Sequence, residues 1–305
     1  MSLGQKVIVT VGAFVITFIT ICTFLRDDIN FILISRSVER IYGKTAENSY
    51  FIDDNFEFIE NYEYAEVHSK KEIINSIYYL LNSGTTYSKR YCAKDYTDCY
   101  KDMDAISSDT NTLSLLNNYV HPYNSFDKIT FNFDGTVIEI EIEHAYTANE
   151  IIELNNYIDN FIIQNITNTM TPNEKIKIIH EHIINNTTYD NLKSENIKDT
   201  TYKSNTAYGV LMEGYGICSG YSDAMKLFLD NEKINIINYK ISNDQHIWNL
   251  VYLDGKWLHL DLTWDDPVNA QNITRDNYFL ITTDILEKLN DEVHYYDYYN
   301  FIEAK

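Results

Sequence analysis

Along the chain the spacing of apolar positions changes period several times, and each change predicts an element. An uncharged stretch comes first, Val7 to Leu25, flanked by Lys6 and Arg26. Its 19 residues (25 − 7 + 1) match the roughly 20 a helix needs to cross a bilayer core. No small-x-small cleavage site follows it, so residues 1–30 read as an uncleaved membrane anchor. Further on, Ser69-Lys-Lys-Glu72 opens a helix whose Ile73, Ile74, Ile77, Leu80 and Leu81 share one face. Phe131-Asn-Phe133, Asp134-Gly135 and Thr136 to Glu143 read as a hairpin with a two-residue turn. In its second strand Ile138, Ile140 and Ile142 alternate with Glu139, Glu141 and Glu143, which gives one buried and one wet face.

Thr147-Ala-Asn-Glu150 and Thr171-Pro-Asn-Glu174 are capping boxes, the second with Pro at the first helical position. Leu154, Ile158 and Ile162 continue the first helix at helical spacing, and Ile176, Ile179 and Ile183 the second. His180 and His182 lie two apart on that second helix and so point to different faces; they read as structural or surface residues. The pattern then becomes helix, loop, helix, hairpin. The class is α+β, with residues 31–145 as an N-terminal region of no recognisable chemistry and residues 146–305 as a second domain.

Within that domain a hairpin can be read to the residue. Asp244 to Leu253 runs into Asp254-Gly255, and Lys256 to Trp264 returns. A two-residue Asp-Gly turn pairs Leu253 with Lys256, so facing positions sum to 509. Trp248 then lies opposite Asp261, and His246 is the diagonal neighbour of Asp261 on one face, roughly 7–8 Å away along the backbone. Ile247, Val251 and Leu253 share the other face with Leu258, Leu260 and Leu262 and form the core. Trp248, Tyr252 and Trp257 read as walls of a cleft.

Upstream, Gly214-Tyr-Gly216-Ile-Cys218-Ser-Gly220 leads into Ala224, Leu227 and Phe228 at helical spacing. Cys218 therefore stands where a glycine-rich turn feeds a helix N-terminus. The unpaired N–H groups there favour a thiolate and can cradle an oxyanion. An Asp directed at a His fixes its tautomer and frees the other nitrogen to take the thiol proton. Cys218, His246 and Asp261 are thus the expected catalytic residues, with no cofactor and no metal. A metal set of Cys218, His246, His259 and Asp261 is the lesser reading, because no tight paired-ligand motif is present.

Composition narrows the partners. The net charge is −21, which repels phosphate backbones, and nucleic acid is excluded as a partner. Cys92 and Cys99 stand close enough for a local disulfide, which needs an oxidising exterior. Lys6 on one side of the anchor faces Arg26, Arg36 and Arg40 on the other, so charge leaves the orientation open. The expectation is a single-pass cell-membrane protein with its catalytic domain outside the cell.

The segment Ala207 to Tyr221 around Cys218, the run Gln245-His246-Ile-Trp248-Asn249, and Leu260-Asp261-Leu-Thr263-Trp264-Asp-Asp-Pro267 together resemble the three motifs of the bacterial transglutaminase-like superfamily. The order Cys, His, Asp agrees, and the likeness spans roughly residues 150 to 290. It implies a papain-like α+β core, a nucleophile-bearing helix packed on an antiparallel sheet. Cys218 would attack an amide carbonyl, His246 would act as base and then acid, and Asp261 would orient His246. Ile247 stands where such proteins usually carry Ala. The expected activity is that of a membrane-anchored hydrolase of peptide or cell-wall amides, with protein cross-linking and a non-catalytic interaction module as alternatives.

Overall fold

Two antiparallel hairpins are the fixed points of the chain, and helices cover them. The structure is a computed structural model and describes residues 47–53, 56–266, 276–289 and 291–301. The first sheet has the order β1-β2-β4-β3, from strands β1 (Glu66–Val67), β2 (Tyr87–Cys92), β3 (Phe126–Asp134) and β4 (Val137–His144). Its hairpin turn falls on Gly135-Thr136, one residue later than the sequence spacing predicts, because Asp134 pairs with Val137. The expected faces survive, with Ile138, Ile140 and Ile142 buried. Helix α1 (Lys70–Asn82) covers this sheet, started by Ser69 Oγ accepting from Glu72 N. Helices α2 (Cys99–Ser108) and α3 (Thr110–Leu116) follow, and a Cys92–Cys99 disulfide ties the end of β2 to the start of α2.

The second half opens with α4 (Ala148–Asn165) and α5 (Pro172–Asn186), each begun by a complete capping box at Thr147 and Thr171. Short elements follow: β5 (Thr188–Tyr189), α6 (Asn191–Glu195), a π-turn at Gly209–Glu213 and β6 (Tyr215–Gly216). Then come α7 (Cys218–Asp230), β7 (Asn238–Ser242), β8 (Ile247–Leu253), β9 (Lys256–Leu260), α8 (Leu262–Asp265) and α9 (Thr283–Leu289). Strands β7, β8 and β9 form an antiparallel sheet in that order, and α7 packs on β7 and β8. The β8–β9 turn is Asp254-Gly255, both with positive φ (50° and 78°), as the primed turns of two-residue hairpins require. The register runs as the turn dictates, from Leu253↔Lys256 to Asn249↔Leu260.

One expectation is reversed here. The hairpin is buried on both faces: Val251 and Leu260 pack with α7, while Trp248 and Leu250 join the core of the first half beside Tyr239 and Ile241. Trp248 is 0% exposed, so it is core and no cleft wall. A hydrophobic core thus runs across the 145/146 boundary.

The expected fold class is corrected in one respect. Among the described residues no helix is long and apolar enough to cross a membrane. The longest, the 18-residue α4, turns Glu153 and Asp159 to solvent and buries only Leu154, Ile158 and Ile162. The stretch Val7 to Leu25 lies outside the described residues, as do Cys22, Arg26, Arg36 and Arg40. The architecture is α+β without a membrane-spanning element among the described residues.

Candidate active site

The first turn of α7 is built by close packing. The segment Lys203–Thr206 straps across it: Ile217 N donates to Ser204 O at 2.8 Å and Ser219 Oγ to Asn205 O at 3.1 Å. A Cβ on Gly220 would stand 2.3 Å from Ser204 O, and one on Gly216 would meet Val210 and the Tyr221 ring within 2.8 Å. The glycines around Cys218 are therefore demanded by contact. No side chain caps α7 at Ile217, which leaves its first N–H groups to act on an anion near the half-buried Cys218.

His246 precedes β8 and Asp261 follows β9, just past the last pair of the ladder. There the chain turns into α8, with Asp261 as its N-cap. Asp261 Oδ1 accepts from Thr263 N at 2.8 Å and Trp264 N at 3.2 Å, and Oδ2 accepts from His246 Nε2 at 2.5 Å. That bond leaves His246 Nδ1 for Cys218, whose thiol is a hydrogen-bond partner of the His246 side chain. The structure thus brings Cys218, His246 and Asp261 together. Burial would push His246 down, but the Asp261 carboxylate and the Cys218 thiol outweigh it and hold it at about 10. Burial likewise opposes ionisation of Asp261, yet the two imidazoles beside it keep the carboxyl well below its usual range.

The second imidazole is His294, which sequence reasoning missed. Its Nε2 donates to the same Asp261 Oδ2 at 2.7 Å, and its Nδ1 bonds Asp291 Oδ1 at 2.8 Å. The available signal was Asp291-Glu-Val-His294, in which Asp291 Oδ1 also accepts from Val293 N and His294 N. That stretch has no periodicity to flag it.

His259 stands apart from this group. It accepts from Trp248 Nε1 at 3.0 Å and reaches Thr283 Oγ1 at 3.2 Å. Burial and the nearby charge of His294 push it down to about 3, so it is neutral. The set Cys218, His246, His259 and Asp261 is therefore not assembled. Among the described residues the trio with converging donor atoms is His246, Asp261 and His294, all within 4.8 Å of one another. At 2.5 and 2.7 Å their contacts are direct hydrogen bonds. His180, buried on α5, bonds Asp265 at 3.0 Å, and His182 packs on Phe161, which keeps both structural.

Cys218 and His246 open on a cleft of about 460 Å³. The first half supplies one wall through Asn117, Asn118, Phe126 and Asp127, and the second half the other through Asn205, Lys240 and Asp244. A larger hollow of about 690 Å³ at Tyr50, His121 and Trp257 touches none of Cys218, His246 and Asp261.

A nucleophile at a helix N-terminus, an imidazole and an orienting carboxylate define the class of thiol acyl-transfer sites. Residues 160–262 match the family model of the transglutaminase-like superfamily, whose members are generally cysteine-based enzymes. Pro267 of the aspartate motif lies outside the described residues. A solved structure titled "Crystal structure of a TGase" is similar at 18% identity over 48% of this chain and 47% of that one, with a TM-score of 0.35. The chain thus spans about half the length of that protein. No curated protein matches.

Proposed function

We propose that the protein is a thiol amide hydrolase acting on polar peptide substrates through an acyl-enzyme at Cys218. The observation that carries this is the continuous chain Cys218–His246–Asp261, opening on a cleft at the end where the thiol lies. The thiolate attacks the amide carbonyl carbon, and the S–C bond forms while the N–H groups of α7 hold the oxyanion. As the C–N bond breaks, the His246 imidazolium gives its Nδ1 proton to the leaving amine. His246 then takes a proton from water, which attacks the thioester and releases the acid and the thiol. The cleft lining favours polar chains, since amides outnumber its apolar groups and Lys240 is paired with Asp223 at 2.6 Å.

A second reading has its own observation. Asp127 and Asp244 line the cleft in a protein of net charge −21, a setting that draws a cationic amine toward the acyl-enzyme in place of water. Cross-linking would follow. The Cys92–Cys99 disulfide supports an oxidising compartment, outside the cytosol, for this part of the chain.

The test has two arms. Alkylation by iodoacetamide below neutral pH should run at least tenfold faster at Cys218 than at a model thiol, and His246→Ala should remove that advantage. A Cys218 that reacts like a model thiol in the wild-type chain sinks the proposal. Product analysis on a peptide library, with and without a primary amine, then separates free acid from amine adduct.

A further inference from the structure

We infer that His294 and Asp291 are positioning residues of this site, and that Asp261 serves as an aimed anion only because His294 holds it from behind. The inference rests on the assignment of Cys218, His246 and Asp261 as nucleophile, base and orienting carboxylate. Asp261 has four acceptor positions, and all four are filled: two by backbone N–H groups of α8, one by His246 and one by His294. Because Oδ2 accepts from both imidazoles, each Nε2 carries a hydrogen. On the far side His294 Nδ1 faces Asp291 Oδ1, one oxygen of a carboxylate whose other oxygen accepts from Tyr278 OH at 3.0 Å. The His294 ring is thus held through both nitrogens, between the carboxylates of Asp261 and Asp291.

The arrangement is a linear alternation, Asp291–His294–Asp261–His246–Cys218, of carboxylate, imidazole, carboxylate, imidazole and thiol. Its surroundings fix it in place. His294 is buried, stacked on Tyr278 with ring centres 4.6 Å apart, and met edge-on by Trp248 and Trp264. A ring merely filling space needs neither hydrogen bond. Strands β8 and β9 bring His246 and His259 to face this pair, the latter neutral. Helix α8 and the loop that returns to it supply Asp265 and Tyr278, with Asp265 engaged by His180 and Tyr278 N. Cys218 and Tyr189 close the nucleophile side. Among the described residues the side chains paired with the Asp261 carboxylate are His246 and His294, so His294 is the group that steadies Asp261 when a thiolate forms beyond His246.

Without His294, Asp261 keeps a buried charge with one partner fewer, takes up a proton more readily, and releases His246. The acidic limb of reactivity then moves up in pH. The experiment measures alkylation of Cys218 by iodoacetamide against pH in the full chain, for wild type, His294→Leu, His294→Gln and Asp291→Asn. Gln places an amide N–H where Nε2 stood and so restores the bond to Asp261 without the imidazole. His294→Leu should move the acidic limb upward by at least one pH unit and slow labelling at pH 6 tenfold or more. His294→Gln should recover most of the rate, and Asp291→Asn should move the limb in the same direction by less.

A folded His294→Leu chain with the wild-type profile overturns the inference. Should that variant fail to fold, an unchanged profile in Asp291→Asn and His294→Gln overturns it equally. Wild-type labelling that changes on chelator treatment would assign the trio to a metal and also reject it. An unactivated wild-type Cys218 is a different failure, that of the proposed function itself.

Discussion

Four hydrogen bonds converge on the Asp261 carboxylate, and its replacement is correspondingly informative. Asp261→Asn leaves two buried imidazoles facing an amide and weakens the cap of α8. Removing one partner of a buried charged group costs about 3–5 kcal/mol. The loss should depend on pH. His246 is raised from 6.5 to about 10 by its pairing, so that contribution is whole below pH 6.5 and disappears as pH rises toward 10. Asp261 is depressed below its ordinary value of 3.8, so its contribution is present above about pH 4 and is lost on acidification. Thermal melts of wild type and Asp261→Asn should therefore differ most between about pH 4 and 6.5 and converge at alkaline pH. A difference that stays constant across that range would detach stability from this pairing.

At the level of elements, two glycines with unlike surroundings make opposite predictions. Gly220→Ala gains helix propensity, but its Cβ meets the Ser204 carbonyl at 2.3 Å. The strap must move, at about 1–3 kcal/mol, and Cys218 labelling should slow with it. Gly255→Ala meets nothing within 4 Å yet sits at φ +78°; it should cost about 1–2 kcal/mol and leave labelling unchanged. Equal labelling in both variants would show that the strap does not set the nucleophile. These elements also mark how far the sequence could be read. Turn chemistry at Asp254-Gly255 and the capping boxes at Thr147 and Thr171 are local, and so they were legible. The ladder's end at Leu260, where Asp261 turns to cap α8, is decided by contact with Tyr278, whose carbonyl accepts from Asp261 N. His294 was hidden for the same reason, being 33 residues from its partner in a stretch without period. Burial of Trp248 was missed because alternation shows two faces but not what lies beyond each.

For the whole molecule, the shared core makes the second half dependent on the first. Tyr239, Ile241, Trp248 and Leu250 belong to the cluster that also holds Ile77, Leu116 and Ile140. Trp248 further stacks on His246, ring centres 5.6 Å apart, so the first half reaches the site through one side chain as well as through the cleft wall. A chain of residues 146–305 alone would expose that apolar face. It should bind a hydrophobic dye and show no cooperative melt, whereas residues 47–305 should melt as one unit. A cooperative melt and wild-type labelling in the shorter chain would refute the dependence.

The Cys92–Cys99 bond has a bearing on how the Cys218 thiol survives oxidation. Its partners are 7 residues apart, whereas Cys99 and Cys218 are separated by 119 (218 − 99). Bringing the distant pair together in an unfolded chain costs about 2–3 kcal/mol more in closure entropy. The near pair is thus favoured roughly a hundredfold. Chain statistics alone pair Cys92 with Cys99 ahead of either pairing with Cys218, which is free in the folded chain.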